Sequence, residues 1–135
     1  MKHFTLNELT RSATAAKQGI DNTPDATVVR NLTSLVDNVL DPLRERFGKA
    51  IFVNCGYRCA ALNAAVGGAK NSQHLYGEAA DITAKNQADN AELFRIIKDT
   101  LPFDQLIWEK GNDRFPAWVH VSYVREQRRQ VLRIK

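Results

Sequence analysis

The chain has 135 residues, enough for one domain with a core of its own. Its 44% hydrophobic and 25% charged content excludes a disordered or low-complexity chain, and no apolar run approaches the ~18 residues of a membrane-spanning helix. The formal charge of +4 owes much to residues 125–135, which carry no nucleic-acid-binding motif, so they read as a solvated basic tail and no nucleic-acid partner is expected.

The N-terminal residues 1–8 lack the apolar core of a signal peptide, so cytoplasmic synthesis is expected. Thr5 and Glu8 stand at capping-box spacing and predict the opening of a short helix. Residues 12–23 are small and polar and read as a loop. Thr23-Pro24 predicts the start of the strongest helix, whose apolar face is Val29, Leu32, Val36, Val39, Leu43 and Phe47 at three- and four-residue steps. Pro42 is expected to bend or split it and Gly48 to close it. Residues 51–54 are strand-like, and Gly56-Tyr57-Arg58 turns out of that strand. A short helix over residues 59–66 is ended by Gly67-Gly68; residues 69–77 are loop and residues 79–83 a strand. Residues 87–101 form a second amphipathic helix with Ala91, Phe94, Ile97 and Leu101 inward. Residues 103–109 and 117–124 are strands joined through Gly111-Asn112-Asp113. Repeats and linkers are absent, so residues 1–135 read as a single domain. Its class is α+β, a small antiparallel sheet with helices packed on one side.

Cys55 and Cys59 stand four residues apart, which matches neither a zinc knuckle nor a C-x-x-C redox pair. Two reduced, mostly buried thiols are expected, with a bond left open if Cys59 begins a helix facing back toward Cys55.

The densest chemistry lies in Ser72-Gln73-His74-Leu75-Tyr76-Gly77-Glu78-Ala79-Ala80-Asp81, where a histidine and an aspartate are seven residues apart with a glycine between them. Trp118-Val119-His120-Val121-Ser122 supplies a second histidine within a strand. If the two strands are neighbours, His74, Asp81 and His120 meet on one face. Three protein ligands with a fourth position open is the ligand count of a catalytic zinc site. The same residue types form the iron facial triad, but those enzymes usually set histidine and carboxylate two residues apart in a β-barrel. A histidine taken alone is more often a satisfied polar group than a ligand, and His3, near the terminus, is assigned no role.

The pattern Ser-x-His-x-x-Gly-x-Ala-x-Asp, here Ser72 to Asp81, resembles the metal signature of the zinc D-Ala-D-Ala carboxypeptidases. This murein-peptidase group includes phage endolysins and shares its fold with the hedgehog signalling domain. Gly56-Tyr57-Arg58 upstream and Trp118 to Ser122 downstream fall in the order of that family. The resemblance spans residues 54–123, and the small form is most similar to the phage and prophage branch. It implies Zn2+ held by His74, Asp81 and His120, and a peptidoglycan stem peptide as substrate. D-Ala-D-Ala cleavage is favoured over L-Ala-D-Glu, and a monomer is compatible with such an enzyme. The resemblance also implies that Arg58 pairs with a substrate carboxylate, for which a guanidinium fork is suited; the alternative is an arginine that pins its loop. Ser72 resembles the serine that helps hold substrate, the alternative being a loop-capping hydroxyl.

The general base is where this sequence departs from the family. A glutamate three residues before the last histidine is replaced by Ala117, and a histidine two residues before it by Trp118. Glu109, at the end of the strand that returns through a turn to His120, is the candidate base; Asp113 and Asp104 are weaker ones. The absence of both familiar base positions keeps open a non-catalytic, zinc-containing wall-binding module. An enzyme without a signal peptide is expected to reach the wall after release from the cell or through a holin-like pore.

Overall fold

A computed structural model describes all 135 residues. The strands are β1 (Phe52–Cys55), β2 (Ala79–Thr83), β3 (Gln105–Glu109), β4 (Trp118–Ser122) and β5 (Gln130–Ile134). They form one sheet in the order β1-β2-β4-β3-β5. β1–β2, β2–β4 and β3–β4 pair antiparallel, whereas β5 lies parallel to β3. The fold is α+β as expected, but the sheet is mixed rather than antiparallel.

Strand alternation assigns the two faces. Val53, Ala80, Ile82, Leu106, Val119 and Val121 point to the core, where they meet the apolar side chains of the long helices. Asp81, Ile107, Glu109, Trp118 and His120 stand on the opposite face, because Asp81 pairs with His120, Ile107 with His120, and Glu109 with Trp118. A slip of one residue would send all of these side chains to the wrong side, so burial of the core face fixes the register of the other.

The N-terminal half supplies the helices. α1 (Leu6–Thr10) carries the expected capping box, with the Thr5 hydroxyl accepting from Glu8 N and the Glu8 carboxylate accepting from Thr5 N. Residues 12–23 are not all loop: α2 (Ala13–Gln18) forms there because Ser12 caps Ala15 N and Gly19 ends the turn at φ 67°. The long helix begins at α3 (Ala26–Leu35) rather than at Thr23, because Asp25 accepts a 2.9 Å hydrogen bond from Val28 N and is its cap. Pro42 does not split it. Proline has no N–H to donate one turn back, and the helix absorbs the defect as a π turn, Val36–Leu40, in which Asp41 N bonds Val36 O, before continuing as α4 (Asp41–Phe47). Gly48 closes it in the left-handed region at φ 76°.

α5 (Ala60–Ala65) follows Cys59, and a 3₁₀ turn, Gln73–Tyr76, occupies part of the expected loop before β2. α6 (Gln87–Thr100) buries Leu93 and Ile97. Of the four positions expected inward, Ile97 and Leu101 are buried, and Ala91 and Phe94 are half-buried. Phe94 meets the Trp108 ring edge-to-face at 5.3 Å. Asn90 takes the remaining core position. It accepts from Ala84 N and donates to the Pro116 and Ala117 carbonyls, which ties α6 to the end of β2 and the start of β4, adjacent at one end of the sheet.

The basic C-terminal stretch is not a free tail. Arg129 donates to the Lys98 and Leu101 carbonyls at the C-terminus of α6 and stacks 4.3 Å over the Phe103 ring. Residues 130–134 then pair along β3. Every residue of β5 is exposed, so the strand has no buried face and its sequence no alternation to betray it. Cys55 and Cys59 are free thiols as expected, but half-buried rather than buried.

Candidate metal centre

Asp81 and His120 face each other across the β2–β4 ladder, with the Asp81 carboxylate 3.0 Å from His120 Nδ1. His74 reaches the same carboxylate oxygen from the 3₁₀ turn, with Nε2 at 3.4 Å. The two histidines singled out in the sequence therefore meet at one oxygen of the third residue, Asp81, with their rings 5.2 Å apart centre to centre. Donors held about 2.0–2.1 Å from a tetrahedral zinc lie about 3.3 Å from one another, so the two observed separations already fit an ion. His120 Nε2, the ring nitrogen that does not contact Asp81, is buried with no hydrogen-bond partner.

Several groups fix His74. Its Nδ1 lies 2.6 Å from the Gly56 carbonyl. A carbonyl can only accept, so Nδ1 carries the proton and Nε2 is the atom turned to Asp81, the outer-shell arrangement of a metal-ligating histidine. The His74 carbonyl accepts from Arg58 N at 3.0 Å, and the Ser72 hydroxyl accepts from His74 N at 3.2 Å. Gly77 closes the turn at φ 73°, where a Cβ would stand 2.8 Å from Val28 Cγ1. The turn is thereby pressed against α3. At Gly56 a Cβ would lie 2.2 Å from the Leu9 carbonyl oxygen, so only glycine brings the β1 exit this close to α1.

Burial disfavours a charged His74, but the Asp81 carboxylate and the Cys55 sulfur prevail and raise it to about 10. Burial likewise works against the Asp81 carboxylate, yet His120 and His74 hold it well below the usual range. The geometry that favours a proton also favours a cation of higher charge, and a metal held here would displace that proton. Cys55 Sγ is 3.9 Å from His74 Nδ1, and the thiol, a His74 ring nitrogen and an Asp81 oxygen all lie within 4.8 Å of one another, so Cys55 borders the same centre.

Glu109 lies one residue pair along from His120 on the same face. Its carboxylate, an Asp81 oxygen and a His120 nitrogen all lie within 4.8 Å of one another. Burial, and then the Asp81 charge, raise Glu109 above the ordinary glutamate range, as suits a group that takes and returns a proton. The two weaker candidates are otherwise engaged: Asp104 is buried and bound by Arg128 and Gln73, and Asp113 is an exposed partner of Arg133.

These side chains line an open groove of about 650 Å³. Arg58 sits in its wall with no carboxylate partner. Its Nη2 donates to the Ser72 hydroxyl at 3.3 Å, its Nη1 lies 3.6 Å from Cys55 Sγ, and its Nε is buried and unpartnered. Ser72 therefore caps the turn, one of the two roles weighed for it, and also accepts from the arginine. Gln73, Gln105 and Arg128 also line the groove and were not picked out from the sequence. Arg128 lay hidden in the basic run, and the glutamines carry no spacing signal.

The family model described as Peptidase M15 matches residues 2–122. The chain belongs to the peptidase M15 family. A zinc D-Ala-D-Ala carboxypeptidase of Streptomyces albus G is 49% identical to this M15 chain over 49 residues, which are 36% of this chain and 19% of that protein. The matched segment thus spans about a fifth of that relative's length. Membership agrees with the α+β fold and leaves Arg128 and β5 beyond the matched residues.

Proposed function

We propose that this M15 chain is a zinc peptidase that hydrolyses peptidoglycan stem peptides, with D-Ala-D-Ala favoured over L-Ala-D-Glu as the scissile bond. The observation that carries the reading is the meeting of His74 and His120 on Asp81 beside a half-buried glutamate, in a groove walled by an arginine without a carboxylate partner. The Streptomyces albus G relative bears zinc and D-Ala-D-Ala carboxypeptidase in its name. Zinc held by the three residues would polarise the scissile carbonyl and bring the pKa of a coordinated water to about 7.

The chain's own residues supply the rest. Glu109 accepts the proton of the attacking water and returns it to the leaving amine. Arg58 receives a substrate carboxylate, with Ser72 setting the plane of its guanidinium. The Gly56 carbonyl keeps His74 in the tautomer that exposes Nε2.

The test is amine release from purified peptidoglycan, with mass spectrometry of the products, with and without a chelator. Chelator-sensitive release of one defined fragment supports the proposal and names the bond. Ala117 and Trp118, at positions where relatives carry a base, favour a second reading: a zinc-containing module that binds the wall without cutting it. A folded, zinc-loaded protein that sediments with peptidoglycan of several compositions and releases no amine would establish that second reading.

A further inference from the structure

The catalytic groove holds a second guanidinium that the reaction above does not use. Arg128 lies in the segment before β5 and lines the groove together with His74, Glu109 and Arg58. Its side chain is held on one edge. Nε lies 3.1 and 3.3 Å from the two Asp104 oxygens, and Nη2 lies 2.8 Å from one of them. Asp104 is 2% exposed, whereas the Arg128 side chain is 58% exposed. The guanidinium is thus anchored on a buried carboxylate while Nη1 makes no hydrogen bond within the protein.

Pinning the C-terminal segment does not need this side chain. Arg128 N already donates to Asp104 at 2.9 Å, and Gln130 N donates to the Asp104 carbonyl at 2.9 Å. Beside it stands Gln73. An ionised Asp104 can only accept, so the Gln73 amide donates Nε2 to it at 2.9 Å, which leaves Oε1 buried without a partner. Arg128 and Gln73 therefore both line the groove, the one with an unpaired donor edge and the other with a buried, unpaired acceptor. Ser72 and Gln73 are adjacent, one bonded to Arg58 and the other joined to Arg128 through Asp104, so both guanidiniums are fixed to the loop that carries His74.

We infer that Arg128 and Gln73 form a second anchoring point for the substrate, at which Arg128 binds a carboxylate in the body of the peptide and Gln73 Oε1 accepts an adjacent amide N–H. The inference rests on the proposed peptide substrate. It makes the chain selective for peptides with two carboxylates, one for each arginine. Amidation of the internal carboxylate removes the charge and one acceptor oxygen, and a charge-assisted hydrogen bond of this kind is worth at least about tenfold in affinity.

The experiment uses synthetic stem peptides in which the internal carboxylates, the D-isoglutamate α-carboxylate and the diaminopimelate carboxylate, are free or singly amidated. Binding to the zinc-loaded chain is read in the first milliseconds of mixing from tryptophan fluorescence, since Trp118 lines the groove, and product is read separately. The wild type is expected to bind the free peptide about tenfold or more tightly than one of its amides. Arg128→Gln should bring that ratio near one while leaving affinity for the amide unchanged, and Arg128→Lys should restore part of it. A wild type indifferent to both amidations, or an Arg128→Gln variant that keeps the preference or loses affinity equally for all peptides, overturns the inference. Because binding is read before turnover, carboxylate selectivity without product supports this anchoring point even as it defeats the hydrolytic reading.

Discussion

Replacing Glu109 by glutamine separates the base from the ligands. The amide keeps the side chain's size and its half-buried place on β3, so the packing between β3 and β4 is undisturbed. What it loses is the ability to take a proton. Positioned general bases contribute about 10²–10⁴ in rate, equivalent to about 2.7–5.5 kcal/mol of barrier. The Glu109 carboxylate is placed for that role, within 4.8 Å of both an Asp81 oxygen and a His120 nitrogen and raised in pKa by burial and by Asp81. Glu109→Gln is therefore expected to lower kcat by 10²–10⁴ with KM little changed and zinc bound one per chain. Steady-state kinetics on a stem peptide and metal analysis of the same dialysed sample measure both. Full activity would move the base to another residue. Loss of zinc together with activity would make Glu109 a ligand and refute the division of roles drawn here.

Other predictions bear on how the site is held. Gly56→Ala sets a methyl against the Leu9 carbonyl and displaces the Gly56 oxygen from His74 Nδ1; zinc affinity should fall about 10–100-fold, read by competition with a chelator, and unchanged affinity would remove Gly56 from the site's support. Asn90→Ala strands Ala84 N and the Pro116 and Ala117 carbonyls and should cost about 2–3 kcal/mol in denaturant unfolding; a loss under about 0.5 kcal/mol would contradict the network. Arg129→Ala removes two bonds to the end of α6 and the stacking on Phe103, for an expected loss of about 1–2 kcal/mol by the same assay, with no loss meaning that the tail is free after all. The Asp104 carboxylate is held below its ordinary 3.8 chiefly by hydrogen bonding to Arg128, so its contribution to stability is complete above that pH and is lost as pH falls through the lower folded value. Acid titration of Asp104→Asn against the wild type should show the two stability curves converging below pH 3.8, and parallel curves would refute the coupling.

Much of the site was legible because its signal is local. His74 and Asp81 fall within one ten-residue pattern, and His120 sits in a strand whose alternation gives its face. Glu109 followed from the antiparallel return of β3 into β4. The register in fact pairs Glu109 with Trp118, and the carboxylate reaches His120 diagonally. What stayed hidden depends on partners remote in sequence. Asn90 looks like a polar interruption of an amphipathic helix until the carbonyls of residues 116 and 117 arrive over it. Arg128 and Arg129 look like solvated charge until Asp104 and the end of α6 are in place. β5 has no buried face, so only its pairing with β3 defines it. The start of the long helix was misplaced for a local reason: Thr23-Pro24 mimics a helix opening, while Asp25 offers the better side-chain cap.

The two halves of the metal centre are supported differently, and this has a consequence for how it responds to change. Asp81 and His120 belong to the central strands of the sheet, where the buried alternation of Ala80, Ile82, Val119 and Val121 fixes their register. His74 stands on a single short turn. That turn is held by the Gly56 carbonyl, by Arg58 N, by Ser72, and by the contact of Gly77 with Val28 and Leu32 of α3. Three of these contacts lead into the N-terminal half of the chain, and two of them are made by residues of the Gly56-Tyr57-Arg58 turn. In the proposed enzyme Arg58 would thereby join substrate and metal. Its backbone holds the carbonyl of His74, and its side chain, through Ser72, faces the groove. A substrate carboxylate drawing on the guanidinium would also load the turn that carries His74. Loosening of the centre should accordingly begin at His74, with the pair across β2 and β4 the last part to be lost.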